Sequence, residues 1–189
     1  MLDFELVPAP PLAGYHQDFD GVSLKAVENL AIVSAALPLG QEDAAEKAIA
    51  SAFGIGLPGV GQSTASQDET AALVRLAIDQ IFILFERATP DAEPFIAGLL
   101  KGSVYSTDQT DVWAALEISG PKSRTALERI CPIDLHPQVF TEGAAARTVM
   151  EHLGAIIVRT NVDTFLLLSA SSSAQSFLHA IETSIQNTA

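Results

Sequence analysis

The stretch Leu73-Val74-Arg75-Leu76-Ala77-Ile78-Asp79-Gln80-Ile81-Phe82-Ile83-Leu84 has a counterpart 84 positions on. There Ile157-Val158-Arg159 and Asp163-Thr164-Phe165-Leu166-Leu167-Leu168 keep the same spacing without a gap. In each copy an apolar run with one arginine leads through an aspartate into a second apolar run. Such runs, rich in Val, Ile, Leu and Phe, read as strands joined by a tight turn, here over 71–78 and 81–85 with Asp79-Gln80 between them. The match extends outward. Ala48-Ile49, Phe53, Ile55 and Leu57 align with Ala126-Leu127, Cys131, Ile133 and Leu135 at an offset of 78, and Phe95-Ile96 and Leu99 with Phe177-Leu178 and Ile181 at 82. The blocks keep their order, so the chain reads as a structural repeat. Each half is a strand, a helix, a pair of strands and a helix, and two such units pack as a pseudo-symmetric α+β pair. The boundaries follow: an extended lead-in over 1–21, then a single α+β domain over 22–189 with halves of about 22–102 and 103–189.

The remaining elements come from periodicity. Ala44, Ala45, Ala48, Ile49, Ala52 and Phe53 form one stripe of a helix, with Gly54 where a C-cap belongs. Phe95, Ile96, Leu99 and Leu100 make a short helix closed near Gly102. Val112, Ala114, Leu116 and Ile118 alternate as in a half-buried strand. Pro121 suits the first position of a helix whose buried stripe is Ala126, Leu127, Ile130 and Cys131. Residues 145–159 and 163–169 read as strands. Ser171 to Ser173 offer N-caps for a last helix that buries Ala174, Phe177, Leu178, Ile181 and Ile185. The lead-in, with Pro8, Pro10, Pro11, Gly14 and Gly21, is either draped over a neighbour or frayed.

Composition narrows the function classes. A chain of 189 residues suits one domain and can bury roughly 70% of its unfolded surface. Hydrophobic residues make up 48% and charged residues 17%, which is a globular balance. The apolar surplus is largely alanine, and either a partner surface or a tightly packed core accounts for it. Ten Lys and Arg face 23 Asp and Glu, a net charge of -13. Without clustered cations to displace counterions from phosphates, nucleic acid and anionic membranes are poor partners. The single Cys131 excludes an intramolecular disulfide and a multi-thiolate metal site. Residues 1–11 lack the basic segment and apolar core of a secretory signal, and no apolar run approaches the ~20 residues of a membrane span. The expected location is the cytoplasm.

Chemistry-bearing motifs are few. Gly54-Ile55-Gly56-Leu57-Pro58-Gly59 fits G-x-G-x-x-G, and Asp79 lies 20 residues beyond it. A dinucleotide site needs a strand before that string and a helix after it, whereas here a helix precedes and a polar stretch follows. A C-cap and a turn-rich loop are the expected reading. Cys131 and His136, with distant His152, are too few for a zinc site. Asp134 and His136 lie two apart but lack a nucleophile motif, so a Pro-bounded turn with local backbone bonds is expected. Trp113 reads as a core or interface aromatic. Arg75 and Arg159, at matching places in the repeat, read either as cations for a partner's acid or as solvated strand residues. No catalytic, cofactor-binding or metal residue is assigned in this chain.

One region goes beyond patterning: Gly120-Pro121, then Cys131-Pro132-Ile133-Asp134-Leu135-His136-Pro137, Phe140, Gly143, Ala146-Arg147-Thr148 and His152-Leu153-Gly154. After it come Asp163 to Leu168 and Ser176-Phe177-Leu178-His179, and upstream lies Thr107-Asp108-Gln109-Thr110-Asp111. This region resembles the gamma subunit of heterotetrameric bacterial sarcosine oxidase. The resemblance covers most of residues 25–186 and is strongest over 107–180. It implies a fold similar to the folate-binding domain of glycine-cleavage T-protein and related aminomethyltransferases. It also implies alpha, beta and delta partner chains that carry FAD, FMN, NAD, tetrahydrofolate and zinc. The complex would oxidatively demethylate sarcosine to glycine, pass the one-carbon unit to tetrahydrofolate or release formaldehyde, and form peroxide. Under this reading the chain itself is non-catalytic, and Asp134, His136, Phe140, Arg147 and His152 are candidate subunit-interface residues. The alternatives are a stand-alone folate-binding or aminomethyltransferase-like domain, and the same subunit in a complex acting on dimethylglycine or another N-methyl amino acid. For a folate domain Asp108, Asp111 or Asp134 are candidates to hold the pterin, and the sequence selects none of them.

Overall fold

The computed structural model describes residues 9–88 and 90–188. The part of the lead-in over 1–8 lies outside the described residues. Eleven strands are described: β1 (His16–Phe19), β2 (Val22–Ala26), β3 (Leu30–Ala36), β4 (Gln62–Ala65), β5 (Ala71–Arg75), β6 (Gln80–Glu86), β7 (Tyr105–Asp108), β8 (Trp113–Ser119), β9 (Ala145–Met150), β10 (Leu153–Asn161) and β11 (Thr164–Ala170). The helices are α1 (Glu42–Phe53), α2 (Ala92–Leu100), α3 (Ser123–Glu128) and α4 (Ala174–Gln186). One sheet has the order β1-β2-β8-β11-β10-β9 and the other β4-β5-β6-β3-β7. Every pairing between neighbouring strands is antiparallel.

Three apolar clusters define four layers. Val33, Ile49, Leu73, Ile83, Ile96 and Leu100 join α1 and α2 to the outer face of the second sheet. Leu116, Ile118, Leu127, Phe165, Phe177 and Ile181 join α3 and α4 to the outer face of the first. Between the sheets Ile32, Val74, Phe82 and Leu84 meet Ile156, Val158 and Leu168. The central strands are therefore buried on both faces, which is why Ile81 to Phe85 form an unbroken apolar run rather than an alternating one. The α+β expectation holds.

The halves are related by an internal near-twofold. The Ala145 N–H donates to the Gly61 carbonyl (2.8 Å) and the Ser63 N–H to the Gly143 carbonyl (2.6 Å), with an isolated antiparallel bridge between Gln62 and Ala144. Each partner is swapped for its equivalent 82 residues away, so this junction sits on the axis. Two strands are exchanged. β2, which opens the first half, pairs with β8 of the second, and β7, which opens the second, pairs with β3 of the first.

Several local expectations need correction. Residues 145–159 are not one strand. They turn at Glu151, whose φ of 54° lies in the left-handed region, and β9 and β10 pair as a hairpin. The lead-in is partly ordered as β1, with Leu12 in the core. β5 ends at Arg75, so the turn runs over Leu76 to Asp79. Pro121 precedes α3, in a turn opened by Gly120. A Cβ on Gly120 would stand 2.6 Å from the Gly21 carbonyl oxygen, and its φ is 113°, so no other residue fits there without strain. Ser171–Ser173 form a 3-10 turn, and Ser173 makes no side-chain cap bond to α4. On α2 only Ile96 and Leu100 of the expected stripe face the core, while Phe95 and Leu99 stay exposed. The described residues contain no helix long and apolar enough to cross a membrane.

Candidate functional site

A cavity of about 720 Å³ is lined by residues of both halves. Its wall takes Asn29 and Ile32 from around β3, Asp108 and Asp111 from either side of the β7 end, Trp113 from β8 and Ser171 from the turn before α4. The volume lies within the roughly 300–1,000 Å³ of small-molecule sites. Asp108 accepts the Thr110 N–H (2.9 Å), and the Thr110 hydroxyl accepts the Ile32 N–H (3.1 Å), which pins the 108–111 turn to β3. Arg87 also reaches the wall. Its guanidinium is held by both Asp91 oxygens (2.6 and 2.7 Å) and lies 4.4 Å over the Phe95 ring, and the Asp91 hydrogen bond raises its pKa.

Trp113 links this cavity to a second cluster. Its ring meets Phe82 edge-on at 5.8 Å, and the exposed Arg147 guanidinium stands 5.3 Å from the Phe82 ring and 5.9 Å from the Trp113 ring. Arg147 donates to the Gln80 side chain (3.2 Å) and meets no carboxylate among the described residues.

The sequence candidates scatter. Of the three aspartates considered for a pterin, Asp108 and Asp111 reach the cavity, and Asp134 does not line it. Asp134 and His136 form the expected turn: the Asp134 carboxylate accepts the His136 N–H (2.9 Å), and His136 Nδ1 accepts from Gln138 (3.3 Å). Phe140 is 6% exposed and packs in the core, so its side chain is closed to a partner; Asp134, His136, Arg147 and His152 stand at the surface. Cys131 is buried with the Thr148 hydroxyl at 3.9 Å. Gly54 caps α1 in the left-handed region and the chain runs on into β4, so no helix N-terminus faces Gly54 to Gly59.

Arg75 and Arg159 fit neither reading offered for them. Arg159 is buried and donates to the carbonyls of Phe140 (2.8 Å), Asn161 (3.3 Å) and Val162. Arg75 donates to Pro58 (3.3 Å) and Ile78 (2.6 Å). Each arginine staples the turn three residues beyond it to the loop before the preceding strands, because turn carbonyls left without strand partners need donors.

A Ser-His-Asp grouping also occurs. His16 Nε2 lies 3.3 Å from Ser23 Oγ and 3.4 Å from Asp18 Oδ1. Both contacts use the same ring nitrogen, so the imidazole cannot relay a proton from one to the other. Among the described residues no three His, Cys, Asp or Glu side chains converge on a metal site.

Two sheets face to face, each backed by helices and joined by exchanged strands, place the chain in the fold class of the aminomethyltransferases. The glycine cleavage system aminomethyltransferase T from Bartonella henselae superposes with a TM-score of 0.65 at 15% identity, over 85% of this chain and 45% of that one. More particularly, the chain is similar to sarcosine oxidase gamma subunits. It is 27% identical over 132 residues to that of Corynebacterium sp. strain P-1, matching 70% of this chain and 65% of the relative. It is 28% identical over 125 residues to that of an Arthrobacter species, matching 66% and 62%. Heterotetrameric sarcosine oxidase from Corynebacterium sp. U-96, solved with pyrrole 2-carboxylate, contains a chain that superposes with a TM-score of 0.80 at 21% identity, over 95% of both chains. The matched stretch spans less than two thirds of these curated relatives. No family model matches the chain.

Proposed function

We propose that this chain is the non-catalytic gamma subunit of a sarcosine-oxidase-type heterotetramer. The supporting observation is the agreement of the sequence match to gamma subunits with the superposition over 95% of a chain in the solved heterotetramer. In this reading alpha, beta and delta chains surround it in the cytoplasm and hold FAD, FMN, NAD, tetrahydrofolate and zinc. The holoenzyme demethylates sarcosine or a related N-methyl amino acid. Asp134, His136, Arg147 and His152 supply polar contacts to the larger chains. Co-expression with those chains tests it. The expected result is a stable complex burying more than ~2,000 Å² at its interfaces, isolated by a tag on this chain. A chain that always elutes alone would refute the proposal.

The cavity carrying Asp108 and Asp111 favours a second reading, a folate-binding domain active by itself. Titration calorimetry of the isolated chain with tetrahydrofolate separates the two. The gamma-subunit reading expects no heat of binding, and saturable binding lost in Asp108→Asn would favour the folate domain.

A further inference from the structure

The internal repeat fills one position in the first sheet that no described strand fills in the second. Tyr105 to Asp108 of β7 correspond to Ser23 to Ala26 of β2. The Gln109 N–H donates to the Ile32 carbonyl (2.8 Å) as the Val27 N–H donates to that of Ala115 (3.0 Å), and Ile32 and Ala115 are equivalent. In the first sheet β1 covers β2, in the register His16 to Lys25 through Phe19 to Val22, and the Ala26 N–H donates to Tyr15 (2.9 Å). The β1–β2 turn then closes the end of β8. There the Lys122 N–H donates to Gly21 (3.1 Å) and Lys122 Nζ pairs with Asp20 (2.6 Å).

In the second sheet no described strand pairs beyond β7. Val33 lies opposite Asp108 and the Gln109 N–H reaches Ile32, so Ser106 and Asp108 turn their backbone N–H and C=O groups away from β3. β7 carries one charge, Asp108, and no lysine, proline or bulge at this edge. The adjoining end of the sheet is apolar. Leu37 donates to the Asp79 carbonyl (2.8 Å) as Gly120 does to that of Asp163 (3.0 Å), which sets Leu39 where the first sheet has Lys122. Leu39 (96% exposed), Ile78 (78%) and Tyr105 (71%) are the three most exposed large hydrophobic residues described. All stand at this end, since Ala36 pairs with both Tyr105 and Gln80.

We infer that β7 accepts an antiparallel strand from another chain of the assembly, in the position β1 fills in the first sheet. The occupant carries apolar side chains that cover Leu39, Ile78 and Tyr105. Backbone bonds to Ser106 and Asp108 give the pairing, and the Leu-for-Lys exchange selects an apolar closing turn where β1 ends in Asp20. A second copy of this chain is the poorer occupant, because a net charge of -13 opposes self-association. The inference rests on the subunit reading and names a surface for it.

The test is co-purification of the tagged chain with its co-expressed large partners. Leu39→Asp/Ile78→Asp removes the apolar cover. Ser106→Pro deletes an outward N–H and spares the β3 bonds made by Tyr105 and Thr107. Val162→Asp, the equivalent of Ile78 at the closed end, is the control. Recovery of partner falls about tenfold or more in the first two variants and is retained in the control, with circular dichroism unchanged, and exchange of the Ser106 and Asp108 amides slows on assembly. If the wild type brings down no partner, the subunit reading itself fails. If the wild type assembles while Leu39→Asp/Ile78→Asp assembles equally and both amides exchange freely, this inference alone is overturned. It is overturned equally if the isolated chain self-associates through Leu39 and Ile78 while partner binding survives their replacement. Should Ser106→Pro unfold, the apolar variant and the amide exchange decide.

Discussion

At the scale of single residues the two matched arginines carry the clearest consequence. Arg159 is buried, and its charge is spread over three turn carbonyls with no carboxylate partner among the described residues. Arg75 makes two such bonds, and its buried Nε has no partner. Replacing Arg159 by Met leaves the buried Phe140 bond and the part-buried Asn161 and Val162 bonds unmade, and a buried unsatisfied group costs about 1–3 kcal/mol. Arg159→Met is therefore expected to lower unfolding free energy by about 3 kcal/mol, and Arg75→Met by about 1 kcal/mol, in urea denaturation. Equal and negligible losses would mean that neither staple matters. The matching places of these residues were legible in the sequence. Their partners were not, because Phe140 approaches Arg159 only once the 140–143 loop folds back beside β10.

At the scale of elements, periodicity located the helices and β5, β6, β8 and β11, merged β9 with β10, missed the five other strands and mistook some faces. The alignment set Phe95 and Leu99 beside Phe177 and Ile181, yet the first pair is exposed and the second is buried. In α2 the core-facing positions are Ala92, Ile96 and Leu100, in phase with Phe177, Ile181 and Ile185 instead. Six apolar residues in a nine-residue helix leave the phase undetermined, and packing against β3 and β7 settles it. The 145–159 segment reads as one strand because Glu151-His152 contains neither Gly nor Pro. Its reversal needs Glu151 at positive φ, and the Glu151 N–H donates to the Ile130 carbonyl (2.8 Å) at the end of α3. That contact is tertiary, so nothing local announces the turn.

At the scale of the whole molecule, strand exchange ties the halves into one folding unit. β2 belongs to the sheet of the second half and β7 to that of the first. A chain cut between residues 102 and 103 is expected to give two fragments that show no cooperative unfolding apart. Expressed together they should reassemble into a species with the native circular dichroism and a single transition. Two independently folded fragments would show that the exchange contributes little. The cavity wall likewise joins the two halves, drawing on residues from 9 to 172 that share no motif.

The sequence by itself determined the α+β class, the repeat, the 131–137 turn and the likeness to gamma subunits. These rest on local spacing and on residue order, which survive without coordinates. Tertiary structure alone decided which sheet each exchanged strand joins, where Asp108 and Asp111 converge, and that among the described strands β1 covers β2 while none covers β7. Those outcomes depend on pairings between residues distant in sequence, such as Ala36 with Tyr105 and Ser23 with Ser119, and a hydrophobic pattern states that a strand has a buried face without stating its neighbour.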